Sequence, residues 1–129
     1  MFNAKWIAII FGATFALVGV LGFIENPIVS GVGAFQTNWA HNLVHLITAA
    51  IFLAGVIKFP GQEKRVVLYA GYFYILVAIL GFVWPGDDLL GFIHINEADR
   101  WLHLGLALAI VTGGFLSSSQ TARLNAKYN

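Results

Sequence analysis

The sequence predicts an all-α protein: a four-transmembrane-helix bundle built from two tandem helical hairpins. Three observations predict it. The 129 residues are 59% apolar and only 10% charged, with a mean hydropathy of +0.80, whereas soluble domains carry roughly 25% charged residues. Four apolar runs of helical length are separated by polar, Pro- or Gly-bearing breaks. The second half of the chain echoes the first at an offset of about 58 residues.

Trp6 to Ile24 is nineteen residues without a charge, enough to cross a hydrocarbon core of roughly 30 Å. Lys5 in front of it has the look of a signal-peptide start. The run lacks a small-residue cleavage site at its end, however, and its pattern returns later in the chain, so it is read as a retained helix. Glu25-Asn26-Pro27 ends it, and a loop containing Gly31 and Gly33 follows. The second helix is predicted over 39–57, with 58–65 as a short polar turn around Pro60-Gly61. The third is predicted over 66–84 and stops at Pro85-Gly86-Asp87-Asp88. The fourth is predicted over 97–116, and a polar tail, 117–129, carries Arg123 and Lys127.

The repeat is most explicit where the second and fourth helices begin. Asn38-x-Ala40-His41-x-x-x-His45-Leu46 is matched by Asn96-x-Ala98-Asp99-x-x-x-His103-Leu104. Gly12, Leu17, Leu21 and Phe23 in the first helix match Gly71, Leu76, Leu80 and Phe82 in the third at an offset of 59. One membrane domain, 1–129, is therefore expected, with repeats at 5–58 and 64–116 and a cytoplasmic tail at 117–129. Odd helices match odd helices, so the halves share one orientation and are related by an axis along the membrane normal. Small residues at four-residue spacing, Ala8-Gly12-Ala16 and Gly105-Ala109-Gly113, suit close helix packing.

Lys5, Lys58, Lys64, Arg65, Arg123 and Lys127 fall on one side of this arrangement, and only Arg100 on the other. The positive-inside rule then places both termini in the cytoplasm of a bacterial inner or thylakoid-type membrane. Trp39, Trp84 and Trp101 would form an outer aromatic belt. The net charge of +1 implies no nucleic-acid partner, and the absence of cysteine removes disulfides and thiolate metal sites.

Asn38 and Asn96 are placed as helix N-caps, because an Asn oxygen accepts an orphan N–H of the first turn. His41 and Asp99 fall at the N3 position, and His45 and His103 one turn deeper on the same face. Three readings of this cluster stand open. In the structural one, His41 and Asp99 reach back to the caps, while His45 and His103 hydrogen-bond carbonyls of 31–36 and 91–95 and hold the outer loops down. In the second, His41, His45, His103 and Asp99 bind a divalent transition metal, with His94 and Glu97 as secondary candidates. In the third, His45 and His103 clamp a haem, or one of them ligates a chlorophyll.

Two segments carry a resemblance: Asn38, His41, Asn42, Val44, His45 and Leu46, then Asn96, Ala98, Asp99, Leu102, His103 and Leu104. Together they resemble the bacterial domain-of-unknown-function 4383 family, with similarity over nearly all four helices. The resemblance implies a small four-helix integral membrane protein and no activity. No nucleophile–base pair, phosphate loop or redox motif is present, so the expected function is non-enzymatic. An accessory or scaffold subunit of a larger membrane complex, or a homo-oligomer, comes first, and a metal- or tetrapyrrole-binding protein second. A small transporter is the weakest reading, because the ionisable groups cluster near the outer ends and transport sites sit near the bilayer midplane.

Overall fold

The protein is seen in a computed structural model whose described residues are 2–118; the expected tail positions Arg123 and Lys127 lie outside them. The elements run β1 (Phe2–Asn3), α1 (Ala4–Leu21), β2 (Val29–Ser30), β3 (Phe35–Gln36), α2 (Trp39–Lys58), α3 (Glu63–Val83), β4 (Asp88–Leu89), β5 (Ile93–His94), α4 (Glu97–Leu116) and β6 (Ser117–Ser118). The four helices of the all-α expectation are present. Three of them, α1, α2 and α3, are long and apolar enough to cross a membrane. At 20 residues α4 matches α2 in length, but its first turn carries Glu97, Asp99 and Arg100, which lowers the apolarity of the span.

The helix ends differ from expectation for local reasons. α1 stops at Leu21 rather than Ile24 because Asn26 organises a turn there. Its amide donates to the Leu21 and Ile24 carbonyls, and its oxygen accepts the N–H groups of Ile28 and Val29. α3 begins at Glu63, three residues before the expected Val66, and it buries Glu63 to 1% exposure. The two-residue strands were not expected from the sequence. β1 pairs with β6 in parallel, tying the chain start to the end of α4, while β2–β3 and β4–β5 brace the two loops at the opposite end of the bundle.

α1 packs along α2 and α3 along α4, and further contacts join α1 to α3 and α4, and α2 to α3. Glycines set the close approaches. A Cβ on Gly12 would meet Leu53 at 3.0 Å, and one on Gly71 would meet Val111 at 2.6 Å. Of the two small-residue stripes, Ala8-Gly12 is buried in the α1–α2 seam, whereas Gly105 has nothing within 4 Å of its missing side chain. The centre of the bundle is aromatic, with Phe15 5.0 Å from Tyr74 and stacked at 6.1 Å on Phe52. The outward faces are as apolar as the core: Trp6, Ile10, Leu17 and Tyr69 are each at least 60% exposed. Water would oppose so much contiguous apolar surface, and hydrocarbon would not.

Candidate functional site

The site lies under the two braced loops, where α2 and α4 begin. Each of these helices starts on an asparagine that does two things. Asn38 accepts the His41 N–H at 3.0 Å, and its amide donates to the Phe92 carbonyl at 2.8 Å. Asn96 accepts the Asp99 N–H at 3.0 Å, and its amide donates to the Ala34 carbonyl at 2.8 Å. Each cap thus reaches the loop of the other half, and the partners keep the 58-residue offset (34 with 92, 38 with 96). Gln36 and His94 share that offset and meet side chain to side chain, Oε1 to Nε2, at 3.3 Å.

The sequence expectation that His45 and His103 are buried together holds. They are 7% and 5% exposed, and their ring centroids are 6.4 Å apart. His41, expected one turn above, joins them, with centroids 4.5 Å from His45 and 5.5 Å from His103. One possible ligand nitrogen from each of the three lies within 4.8 Å of the others. Phe15 and Tyr74 wall the cluster, against His45 and His103 respectively.

Of the three imidazoles, His41 is the one bonded to a loop carbonyl. Its Nδ1 lies 2.6 Å from the His94 carbonyl. A carbonyl only accepts, so Nδ1 carries the proton and Nε2 keeps a free lone pair. The expected bonds from His45 and His103 to loop carbonyls are not among the hydrogen bonds of the described residues, and the buried His45 Nδ1 has no partner at all. Two cavities flank the imidazoles. One, about 150 Å³, lies between α2, α3 and the β4–β5 loop, with Val44, Leu80 and Leu89 among its walls. The other, about 220 Å³, lies between α1 and α4 and reaches Thr37, Asp99, His45 and His103.

Asp99 does not join the three imidazoles. Its Oδ2 accepts the Asn96 N–H at 3.0 Å, closing a capping box. It is buried and fixes the start of α4. His94 is half-buried, with its Nδ1 on Asp88 at 2.9 Å and its carbonyl on His41. Glu97 is exposed and stands apart, beside Trp84, Arg100 and Trp101. Two residues of the site were not anticipated from the sequence. Gln36 is one, although its 58-residue match to His94 was a readable signal. Thr37 is the other, 3% exposed with its hydroxyl unpartnered; a polar side chain near a helix start gave no separate signal. Asn42 faces the end of α1 instead, 1% exposed with an unpartnered Oδ1 beside Gly22.

Residues 5–116 match the family described as Domain of unknown function (DUF4383), from α1 to the end of α4, and the chain belongs to that family. No curated protein and no solved structure matches the chain.

Proposed function

We propose that this member of the family is an integral membrane protein whose helix bundle holds a single transition-metal ion between His41, His45 and His103. The observation that carries the reading is the convergence of three buried imidazoles from two helices, with ligand nitrogens within 4.8 Å. Metal–imidazole bonds of about 2.0–2.1 Å set the nitrogens roughly 3.3 Å apart, so side-chain adjustments of about an ångström close the site. Two features support it. His41 donates its other ring N–H to a backbone carbonyl, the usual way a ligand imidazole is fixed in one tautomer. His45 Nδ1 is buried without a partner, so this ring has a polar atom that no protein hydrogen bond holds back from a metal.

A bare ion fits better than a haem or chlorophyll. With iron midway between His45 and His103, the centre of the His41 ring would stand roughly 4 Å from it by the geometry of the three rings, inside the area of an axially ligated macrocycle. Binding is favoured over catalysis because Asp99, the carboxylate nearest in sequence to the ligands, is committed to the capping box with Asn96. The setting we infer is a bacterial inner or thylakoid-type membrane with both termini cytoplasmic and the metal site near the outer face. The chain would be two tandem hairpins about an axis normal to the membrane. An accessory or scaffold subunit is the second reading; the large exposed side chains of Trp6, Ile10 and Leu17 suit partner helices as well as lipid.

Elemental analysis of the detergent-solubilised full chain tests the reading. About one transition-metal equivalent per chain is expected after metal supplementation and desalting. A His45→Ala/His103→Ala variant should lose it while keeping the same helical circular dichroism. Metal retained by that variant, or none bound by the parent, refutes the site.

A further inference from the structure

Resting on that reading, we infer that the ion the site selects is monovalent copper, held three-coordinate by His41, His45 and His103. The ligand set is wholly neutral. The chain has no cysteine, and Asp99 stays out of the cluster, its Oδ2 accepting the Asn96 N–H at 3.0 Å. No anionic ligand therefore bonds a cation held there; the Asp99 carboxylate, on the wall of the α1–α4 cavity, acts only at a distance. The surroundings are apolar: Phe15 and Tyr74 stand against the rings, and Val44, Leu80 and Leu89 line the adjoining cavity. The Born cost of bringing an ion into such a medium rises with the square of its charge, so a divalent ion costs about four times a monovalent one of equal radius. The site thus selects against zinc(II), nickel(II) and copper(II) before any bond is considered.

Coordination number points the same way. Zinc takes four ligands, three protein groups and a water where the site is open, and copper(II) wants four donors in a tetragonal plane. Among the described residues, three imidazoles converge here and no carboxylate joins them. The buried oxygen without a partner that lines the same space as His45 and His103 is the Thr37 hydroxyl, in the α1–α4 cavity. The Thr37 hydroxyl is thus placed to anchor a water bound to a divalent ion. Copper(I) needs neither that water nor a fourth donor.

The distinguishing experiment is a pair of anaerobic titrations of the metal-free full chain in detergent. Copper(I) is presented against bathocuproine disulfonate under dithionite, and zinc(II) against a chromophoric chelator, in parent, His45→Ala, His103→Ala and Thr37→Val proteins. The expected result is one copper(I) per chain, bound more tightly than zinc(II). Each His→Ala variant should weaken it by at least about 10–100-fold, the loss that removal of even an outer-shell partner causes. Thr37→Val should leave copper(I) affinity unchanged, because a three-coordinate ion uses no water there. Zinc(II) bound as tightly or more tightly, with affinity that falls in Thr37→Val, overturns copper(I) and leaves the metal site standing. Failure to bind either ion overturns both.

Discussion

Asn38 separates two contributions to the outer end of the bundle, because its two side-chain atoms do different work. Oδ1 caps α2 by accepting the His41 N–H at 3.0 Å, and Nδ2 ties the α2 start to the other loop through the Phe92 carbonyl at 2.8 Å. Asn38→Ala removes both. Loss of an Asn cap costs about 1 kcal/mol and loss of one hydrogen bond about 1 kcal/mol more. The Phe92 bond is solvent-exposed, so its orphaned carbonyl adds no burial cost, and the expected sum is about 2 kcal/mol. Asn38→Asp keeps an acceptor for the cap and loses only the donor, so about 1 kcal/mol is expected. The assay is equilibrium unfolding of metal-free protein in mixed detergent micelles with increasing dodecyl sulfate, followed by tryptophan fluorescence and far-ultraviolet circular dichroism. An Asn38→Ala loss within about 0.5 kcal/mol of zero, the range of neutral surface changes, would refute the reasoning. So would an aspartate as harmful as the alanine, which would mean that the loop bond alone carries the effect.

Three other outcomes can be checked in the same assay. Gly22→Ala should destabilise by about 1–3 kcal/mol, the cost of overpacking, because its Cβ would overlap the Asn42 amide; Gly105→Ala, with nothing within 4 Å, should be neutral or slightly stabilising. Thr37→Val should be neutral or stabilising, since it removes a buried hydroxyl that has no partner; a loss above about 1 kcal/mol would show that the hydroxyl is bonded. Arg100→Lys should cost about 1–2 kcal/mol, because an ammonium cannot reproduce the guanidinium fork that reaches the Gly81 and Gly86 carbonyls and Asp87. A fully stable lysine variant would contradict that bonding.

The fold was legible because apolar run length and the Asn caps are local signals. α4 runs Glu97–Leu116, the bounds read from the sequence, and α2 ends one residue beyond expectation. The errors fall where a single side chain overrides composition. Asn26 ends α1 early by collecting the loop backbone, and the buried Glu63 was read as part of a polar turn. Two-residue strands have too little length for any periodicity to reveal them. Within the site, the 58-residue echo brought His45 and His103 together on paper and fixed both caps. It could not reveal that His41 turns inward to them while Asp99, its match, turns to the Asn96 backbone. At these matched positions both side chains bond a backbone group, His41 the His94 carbonyl and Asp99 the Asn96 N–H, but only the imidazole brings a second polar atom to the cluster. That difference is set by side-chain chemistry in three dimensions, beyond the reach of spacing.

Whether three imidazoles hold one ion is read from an X-ray absorption spectrum of the metal-loaded full chain. The expected first shell is three nitrogens at about 2.0 Å with imidazole outer-shell scattering, falling to two imidazoles in His41→Ala. An ion that washes out on desalting, or a first shell of oxygen unaffected by replacement of any of the three histidines, would contradict it.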